Sequence, residues 1–403
     1  MARETIIVGL EIGTSKICAV VAEAKGGVLR IAALGEAPSR GVRKGEIVDF
    51  DTAITCLRDA INEAEAKSDV EIEAVYVAIS GAHISSFNNR GVVNIPEEQE
   101  EITVQDCEDV CTSARDLSLP PPNAIIHSVI QHYYIDGQEG VINPVGMTGQ
   151  KLEADYHIIH GIQTRIKNTI RCVSEAGFEV MDVVFSPLAS AQAVLNEDHK
   201  NHGALVIDIG GGTTDYIVYL DGAVRQSGVL AIGGDHINND ISMGLRIPLA
   251  RAERIKTEEG SVILGNALPG ETITLKDESG FAGKEIERET LNTIIHMRMR
   301  EALELLKRRL EPETYFEMLG AGVFITGGTS QLKGLKHLAE EIFELPVQIV
   351  HSQPLPGPTF VLERPEFATA VGLVRYAHAM QADRSGGGLI DKLKVFFTKF
   401  KKA

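Results

Sequence analysis

The sequence predicts an α/β protein of two related lobes, each of which opens with a β-hairpin around a glycine turn. A length of 403 residues exceeds what one hydrophobic core usually serves. The chain is 44% hydrophobic and 24% charged, with glycines clustered at a few turns, which is typical of a folded globular protein and argues against long disorder. Two segments half a chain apart also share one design, which indicates that one lobe repeats the other.

The shared design is an apolar run, a turn that begins acid-Ile-Gly, and a second apolar run. In the first segment, Ile6–Leu10 leads through Glu11-Ile12-Gly13-Thr14-Ser15-Lys16 into Ile17–Ala22. In the second, Ala204–Ile207 leads through Asp208-Ile209-Gly210-Gly211-Gly212-Thr213-Thr214-Asp215 into Tyr216–Leu220. Short β-rich runs on both sides of a turn predict strand, turn and strand.

A third glycine turn, Gly327-Gly328-Thr329-Ser330-Gln331, follows the strand-like run Val323–Thr326 and precedes a helical pattern from Leu332 to Phe343. Further helices are predicted at residues 51–67, 162–176, 186–197, 235–244, 248–259, 284–310 and 366–382. The stretch 85–160 differs, because it holds the short strand-like pieces Gly91–Ile95, Ile125–Ile135 and Asp155–Ile162 and a Pro120-Pro121-Pro122 turn. We interpret it as an inserted subdomain.

The predicted organisation follows these markers along the chain. It comprises a first-lobe core at 1–84, the inserted subdomain at 85–162, a return to the first lobe at 163–190, a second-lobe core at 191–230, a small subdomain of the second lobe at 231–318, further second-lobe core at 319–380, a flexible linker at 381–388 and a C-terminal helix at 389–403.

The C-terminal helix has the pattern of an anchor that lies in a membrane interface. Its apolar stripe is Leu389, Ile390, Leu393, Phe396, Phe397 and Phe400, and its polar side holds Lys392, Lys394, Lys399, Lys401 and Lys402. Residues 389–403 carry five lysines and one aspartate, +4, against a net charge of −17 for the chain. A helix docked on the body is the alternative, but the glycine-rich linker argues against the fixed entry that docking needs.

Composition excludes several classes of protein. The net charge of −17 argues against a nucleic-acid partner, which requires a basic face. Five cysteines without paired short spacings or a matching His cluster argue against a zinc site and suit reduced thiols in the cytosol. No signal-peptide core and no apolar run of the roughly 18–20 residues that a transmembrane helix needs are present in the sequence.

The glycine turns suggest phosphate binding, because a backbone without Cβ atoms lets N–H groups close around phosphate oxygens. The first two turns lead into strands rather than helices, and the G-x-x-x-x-G-K-[ST] pattern is absent. Two hairpins that hold the phosphates from opposite lobes are therefore favoured over a P-loop. The hydroxyls of Thr14, Ser15, Thr213 and Thr214 and the charge of Lys16 would assist, and Glu11 and Asp208 would face a Mg²⁺ ion through water. Any one turn alone would read as an ordinary hairpin turn.

These three turns resemble the phosphate- and adenosine-binding segments of the actin, Hsp70 and sugar-kinase superfamily. In that superfamily the first two grip the phosphates and the third lies against the adenosine. The connecting helices of the superfamily have candidates at Pro187–Leu195 and Glu366–Tyr376. Ile232-Gly233-Gly234-Asp235 and Ala252-Glu253-Arg254-Ile255-Lys256 resemble its second-lobe nucleotide segments, with Glu253 and Lys256 beside the purine and ribose. The alternatives are a helix N-cap at Asp235 and a solvated helix face for the other two.

Within the superfamily, the chain resembles the FtsA family of bacterial cell-division proteins over nearly its whole length. The resemblance rests on Gly9-Leu10-Glu11-Ile12-Gly13-Thr14, the insert at 85–160, the turn at 208–215 and the tail helix. It implies an actin-like (actin/Hsp70/hexokinase) two-lobed fold with an inserted α+β subdomain and a C-terminal amphipathic helix. It also implies a protein that tethers filaments of the tubulin-like FtsZ to the cytoplasmic face of the membrane at the division site, self-assembles and recruits later division proteins.

The resemblance implies ATP and Mg²⁺ as ligands. The implied ATP contacts are Gly13, Thr14, Ser15, Lys16, Gly210, Gly211, Gly212, Thr213, Thr214, Gly233, Gly234, Glu253, Lys256, Gly327, Gly328 and Gln331. Two departures bear on hydrolysis. Glu11 stands where the superfamily usually has Asp, and Phe185-Ser186-Pro187-Leu188 lacks a carboxylate or Gln before its proline. We therefore expect at most weak ATP turnover, because positioning of the attacking water contributes about 10²–10⁴-fold.

The predicted helix from Glu285 to Leu310 carries a basic side that includes Arg288, Arg298 and Arg300. By the resemblance, this is where the C-terminal peptide of FtsZ binds. The alternative is a solvated face balanced by Glu301 and Glu304. Three other functions share parts of the pattern: a sugar or carboxylate kinase, an Hsp70-like ATPase and an MreB-like filament. The sequence shows no acid placed to activate a substrate hydroxyl, as a kinase would need, and no β-rich substrate domain, as an Hsp70-like ATPase would have. The insert and the C-terminal helix favour FtsA over MreB.

Overall fold

Two five-stranded sheets with the same strand order form the framework, one in each lobe. The computed structural model describes residues 5–116, 119–265, 268, 270–275, 283–312 and 316–385. The first lobe contains β1 (Thr5–Ile12), β2 (Lys16–Lys25), β3 (Val28–Pro38), the short pair β4 (Val42–Arg43) and β5 (Glu46–Ile47), α1 (Phe50–Ser68) and β6 (Ala74–Ile79). The inserted subdomain contains β7 (Ser85–Asn94), α2 (Val104–Arg115), β8 (Asn123–Ile135), β9 (Gln138–Val141) and β10 (Lys151–Ile162). The chain then returns to the first lobe with α3 (Gln163–Glu175), β11 (Glu179–Phe185) and α4 (Ser186–Val194).

The second lobe repeats the arrangement of the first. It contains α5 (Glu197–Asn201), β12 (Ala204–Ile209), β13 (Thr214–Leu220), β14 (Ala223–Leu230), α6 (Gly234–Leu245), α7 (Leu249–Glu258), β15 (Thr272–Leu275), β16 (Lys284–Glu287), α8 (Arg288–Leu310), β17 (Gly322–Thr326), α9 (Leu335–Phe343) and β18 (Val347–Ile349). The short helix α10 (Thr359–Leu362) and the helix α11 (Ala368–Ser385) follow.

Strand order confirms the predicted repeat. The first sheet runs β3-β2-β1-β6-β11 and the second runs β14-β13-β12-β17-β18. In each sheet, the first three strands in chain order, β1–β3 or β12–β14, pair in antiparallel fashion. The remaining two strands lie parallel beside β1 or β12. Antiparallel neighbours need only a short turn, whereas each parallel step requires a crossover, which α1 supplies before β6 and α9 supplies before β18.

Two helices, α4 and α11, pack against each other between the large sheets. Helix α4 contacts β12 and β13 of the second lobe, and α11 contacts β1, β2 and β6 of the first. The helices cross closely, because a Cβ at Gly372 would overlap the carbonyl oxygen of Ala189. Helix α11, at the end of the stretch 319–380, therefore packs on both lobes. Its Val371 and Val374 are buried with Ile7 of the first lobe. Its Leu373 is buried with Phe324 of the second.

The inserted subdomain is a four-stranded antiparallel sheet of order β7-β10-β8-β9 with α2 on one face. The strand-like pieces predicted in this stretch coincide with parts of β7, β8 and β10, apart from Ile95, which follows the end of β7. Helix α2 was not among the predicted helices. Its buried side consists of Cys107, Val110, Cys111 and Ala114, small side chains that give a weak apolar stripe. Thr103 and Asp106 form a capping box that starts it.

Two other predicted helices begin later than expected. Residues 284–287 form strand β16, which pairs with β15, so the predicted helix 284–310 begins at Arg288. Helix α9 begins at Leu335 because Gly334 has a φ of 85°, a left-handed conformation that ends the preceding turn. The predicted C-terminal helix at 389–403 and the end of the predicted linker lie outside the described residues.

Candidate functional site

The glycine turns of the two lobes meet across a cleft of about 450 Å³. Each turn is closed by the same hydrogen bond: Gly13 N–H donates to the Lys16 carbonyl and Gly210 N–H donates to the Thr213 carbonyl, both at 2.9 Å. A Cβ at Gly211 would overlap the Ser15 hydroxyl, and a Cβ at Gly212 would lie 2.9 Å from Lys44 Cα. Glycine is therefore required where the two hairpins approach, and the predicted pair of facing turns is present.

Three carboxyl groups line the cleft behind the turns: Asp215, which is buried, and Glu11 and Asp208, which are half-buried. Burial raises the pKa of each, and the charge of Asp208 adds to the rise at the other two. For Asp215 the pKa rises to about 8. The cleft therefore holds a concentration of acidic groups that favours a cation.

Each acid has a fixed set of hydrogen-bond partners. The Asp208 carboxylate accepts from Ser190 Oγ at 2.7 Å and from Thr369 Oγ1 at 2.9 Å, which are hydroxyls of the two helices between the lobes. Asp215 accepts from Ser80 Oγ of the first lobe at 2.6 Å. Glu11 lies 3.6 Å from the ammonium of Lys16. Both lobes thus contribute to the orientation of the acids.

Lys16 joins the first turn to the far end of the chain. Its Nζ donates to the backbone carbonyl of Glu366 at 2.6 Å and lies over the Phe367 ring. The Glu366 side chain in turn accepts from Gln331 Nε2 at 3.1 Å and from Arg364 Nε at 2.6 Å. The predicted residues Lys16 and Gln331 therefore belong to one polar network along the rim of the cleft.

The second-lobe helices close the other end of the cleft. Lys256 Nζ donates to Glu253 Oε2 at 2.7 Å and approaches the Gly234 carbonyl at 3.4 Å. Glu253 also accepts from the side chain of Asn238. Lys256 is buried, so the solvated-face alternative does not describe it. Glu253 and Lys256 both line the cleft, beside Gly327 and Gly328 of the third turn.

Three of the predicted contact residues do not line the cleft. The Thr214 hydroxyl is buried and donates to the Ile232 carbonyl at 2.7 Å. Gly233 and Gly234 lie beneath the second turn, where a Cβ at Gly233 would come within 2.7 Å of the Gly210 and Gly211 carbonyls. Their close packing against the turn fixes its shape.

Several lining residues were not among the predicted site residues: Ser80, Asp215, Thr257, Lys333, Arg364, Glu366 and Thr369. Asp215 could have been predicted from the sequence. It follows the second turn at the same distance at which Asp208 precedes it, so the two residues pair across the hairpin and point to the same side. The others approach through tertiary packing and have no local pattern.

The arginines predicted to receive a partner already form ion pairs within the chain. Arg288 pairs with Glu259 and Glu271, and Arg298 forms a bidentate pair with Asp240. The partners of Arg300 are Glu304 and Glu341. Near Arg300, a groove of about 340 Å³ is also lined by Lys307 and Arg308.

Two structural observations bear on the predicted metal ion and membrane contact. Among the described residues, no three His, Cys, Asp or Glu side chains are placed to hold a metal ion directly. Over the same part of the chain, no helix has the length and apolar character to cross a membrane. All five cysteines are buried and none of them forms a disulfide bond. The predicted membrane residues from Leu389 to Phe400 lie outside the described residues.

Solved structures of other proteins share this architecture. A PilM–PilN type IV pilus biogenesis complex matches with a TM-score of 0.63 at 17% identity, over 92% of this chain and 98% of that chain. MreB5 of Spiroplasma citri bound to ADP matches with a TM-score of 0.55 at 15% identity, over 96% and 99%. At such identities the likeness shows the fold alone, which is actin-like.

Sequence comparisons identify the family. Residues 205–372 match the family model described as cell division protein FtsA, and residues 81–160 match the SHS2 domain inserted in FtsA. Cell division protein FtsA of Pseudomonas aeruginosa is 38% identical over 379 residues, which cover 94% of this chain and 90% of the relative. The FtsA proteins of Neisseria meningitidis and Escherichia coli K12 are 37% and 36% identical, over 96% and 92% of this chain and 96% and 90% of the relatives. The chain therefore belongs to the FtsA family of cell division proteins.

Proposed function

We propose that this chain binds ATP in the cleft between its lobes and uses the bound state to hold its assembly-competent shape during cell division. The observation that carries this proposal is the pair of facing glycine turns, each closed by the same N–H to carbonyl hydrogen bond. The solved MreB5 structures, of the same fold, contain ADP and AMPPNP. Support for ATP here is therefore both the local geometry and the shared architecture.

Mg²⁺ is the cation that suits the acidic groups behind the turns. Three carboxyl groups facing a polyphosphate would repel it without a cation between them. Mg²⁺ commonly keeps several of its waters and binds through few carboxylates and the phosphates. Glu11 and Asp208, with Asp215 beside them, would hold such an ion through water, where it would offset the charge of the carboxylates and the phosphates.

ATP turnover is proposed to be weak. Ser186, at the position before the proline of the connecting segment, lines the cleft but donates its hydroxyl to the Ile79 carbonyl at 2.9 Å. A serine hydroxyl engaged in this way is a poor general base. ATP would then act mainly as a structural and assembly ligand, and turnover comparable to that of a metabolic kinase would contradict this.

We further propose that the chain tethers FtsZ filaments to the cytoplasmic face of the membrane through its C-terminal amphipathic helix, assembles with copies of itself and recruits later division proteins. Each lysine near an anionic leaflet contributes about 1 kcal/mol, and the phenylalanine-rich stripe adds apolar burial at about 25 cal/mol per Å². The sum is a reversible anchor that assembly strengthens by multivalency.

The FtsZ C-terminal peptide is proposed to bind near α8. Because Arg288, Arg298 and Arg300 are held by internal acids, an acidic peptide would have to compete for them or use neighbouring charges. Arg308 lines the nearby groove and supplies such a charge, whereas Lys307, also in the groove, is itself paired with Glu344. The proposed contact therefore extends along α8 toward its C-terminal end.

Co-sedimentation with anionic liposomes, with and without ATP and Mg²⁺, tests the tether. We expect the full chain to pellet and a chain ending at Arg384 to remain in solution. Phe396→Glu with Phe400→Glu should abolish sedimentation while leaving ATP binding intact. If the shortened chain pellets equally, the membrane role is wrong; if the double substitution also removes ATP binding, the helix is part of the folded body.

A further inference from the structure

The inserted subdomain contacts both lobes. Its base joins the first lobe after Ser80, and its sheet also packs against β14 of the second lobe. Ile126, Val129 and Ile159 of the insert share one buried cluster with Val224 and Val229 of the second lobe. Rotation of one lobe relative to the other must therefore act on this contact.

Strand β14 is the edge strand of the second-lobe sheet, so its outer carbonyl groups have no neighbouring strand. Side chains of the insert satisfy them instead. Ser86 Oγ donates to the Ser227 carbonyl at 2.7 Å, Asn88 Nδ2 to the Arg225 carbonyl at 3.0 Å, and Gln131 Nε2 to the Val224 carbonyl at 2.5 Å.

A buried histidine completes this contact. One ring nitrogen of His157 lies 2.7 Å from Asn88 Oδ1, and the other lies 2.8 Å from the Ser227 hydroxyl. Burial lowers the pKa of His157 to about 3, so the ring is neutral and bridges the two groups without a charge. We call Ser86, Asn88, Gln131 and His157 the edge clasp.

The same hairpin that the edge clasp holds also reaches the cleft. Asp215 lies on β13 directly opposite Val229 of β14, and its carboxylate accepts from Ser80 at the base of the insert. The hairpin therefore contacts the first lobe at Ser80, directly before the insert begins, and the insert itself at the edge clasp. Backbone hydrogen bonds make β13 and β14 move together, whereas the edge clasp consists of side-chain bonds that can break and re-form.

We propose that the edge clasp transmits the nucleotide state of the cleft to the inserted subdomain. When Mg²⁺ and phosphates engage Asp208 and Asp215, the β13–β14 hairpin shifts, and the insert follows it through the edge clasp. The same face of the insert beyond the clasp, including Arg90 and Tyr134 around Asp155, would then present a different surface in the two states. The inference rests on the ATP binding proposed above.

Hydrogen exchange measured by mass spectrometry on the full chain, with and without Mg²⁺ and AMPPNP, tests this inference. None of the residues of β7, β8 and β14 lines the cleft. We nevertheless expect the nucleotide to slow exchange several-fold in β7 and β8. In the double variant Asn88→Ala with Gln131→Ala, this response should fall several-fold while the turns at 13–16 and 210–213 remain protected, since Ser86 and the apolar cluster still join the insert to β14.

Asn89→Ala is the matched control, because Asn89 Nδ2 donates to the Ala114 carbonyl within the insert and does not reach the second lobe. It should keep the response in β7 and β8. If the double variant fails to fold, Ser86→Ala alone removes one bond and should reduce the response.

The outcomes separate the two proposals. If the nucleotide protects the turns of the natural chain but leaves exchange in β7 and β8 unchanged, the proposed transmission is wrong and the proposed ATP binding stands. An insert that responds equally in the double variant would also overturn it. If the turns themselves gain no protection, the proposed ATP binding is wrong and the transmission falls with it.

Discussion

Asp208 and Asp215 lie directly opposite each other on β12 and β13, and both side chains reach the cleft. Residues that face each other across an antiparallel pair point to the same side of the sheet. In the first lobe, the residue opposite Glu11 is Cys18, so the acid is doubled in the second hairpin alone. The second lobe therefore contributes two of the three carboxyl groups behind the glycine turns.

The raised pKa of Asp215 predicts how stability depends on pH. With a pKa of about 8 in the folded protein and about 3.9 in the unfolded chain, Asp215 stabilises the fold fully only below the lower value. Its contribution is lost as the pH rises toward the higher value. The nucleotide-free protein should lose stability over this range, and Asp215→Asn should flatten the loss and raise the melting midpoint at neutral pH. Thermal unfolding across the range measures this; parallel curves for the two proteins would contradict it.

Binding of Mg²⁺ and ATP should release a proton from Asp215, because a cation beside the carboxylate favours its charged form. Calorimetry at pH 7 in buffers of different ionisation enthalpy measures the number released. We expect up to about one proton for the natural chain and close to none for Asp215→Asn. The variant should also bind the nucleotide about tenfold more weakly, equivalent to about 1.4 kcal/mol. Equal proton release by both would exclude Asp215 from the ion site.

Gly212→Ala should weaken ATP binding by opening the cleft. The added Cβ would lie 2.5 Å from Thr14 Oγ1 and 2.9 Å from Lys44 Cα, so the first-lobe backbone must move away. Gly210→Ala is the matched control, because its Cβ would lie 3.4 Å from the Thr213 carbonyl, within its own turn. Titration with a fluorescent ATP analogue should show a larger loss for Gly212→Ala, about tenfold or more. A larger loss for Gly210→Ala would mean that the lobes do not meet here when nucleotide binds.

Substitutions of two arginines of α8 should affect different properties, the stability of the fold in one case and the binding of a partner peptide in the other. Arg288 is held by Glu259 and Glu271, so Arg288→Ala should lower the free energy of unfolding by about 1–3 kcal/mol. Arg308 is exposed and lines the groove, so Arg308→Glu should leave stability nearly unchanged and weaken binding of an acidic FtsZ C-terminal peptide several-fold. Denaturant unfolding and fluorescence anisotropy with the labelled peptide measure the two effects. Unchanged binding by Arg308→Glu would place the peptide elsewhere.

The sequence predicted the parts of the fold that local pattern controls. Apolar runs around the acid-Ile-Gly turns gave both hairpins, and the structure confirms them as β1–β2 and β12–β13. The position of α11 could not be predicted from the sequence, because a buried helix face does not reveal which sheet it packs against. Helix α2 was missed because cysteine and alanine form most of its buried side.

The candidate site, like the fold, could be predicted only where a local sequence pattern marks its residues. The turn residues that line the cleft could be named because their spacing carries the signal. By contrast, Ser190 and Thr369 orient Asp208 from helices that are far apart in sequence. The hydroxyl of Thr214 belonged to the right motif, yet it faces Ile232, because successive side chains of a strand point to opposite sides. Which side faces the cleft is set by the packing of the lobes.

The close crossing of α4 and α11 at Gly372 and Ala189 has a mechanical consequence. Backbones this close leave no room for a side chain between the two helices. Any residue larger than glycine at position 372 would force α4 and α11 apart, and with them the β12–β13 and β1–β2 strands on which they pack. The spacing of the two large sheets therefore depends on one hydrogen atom in place of a side chain.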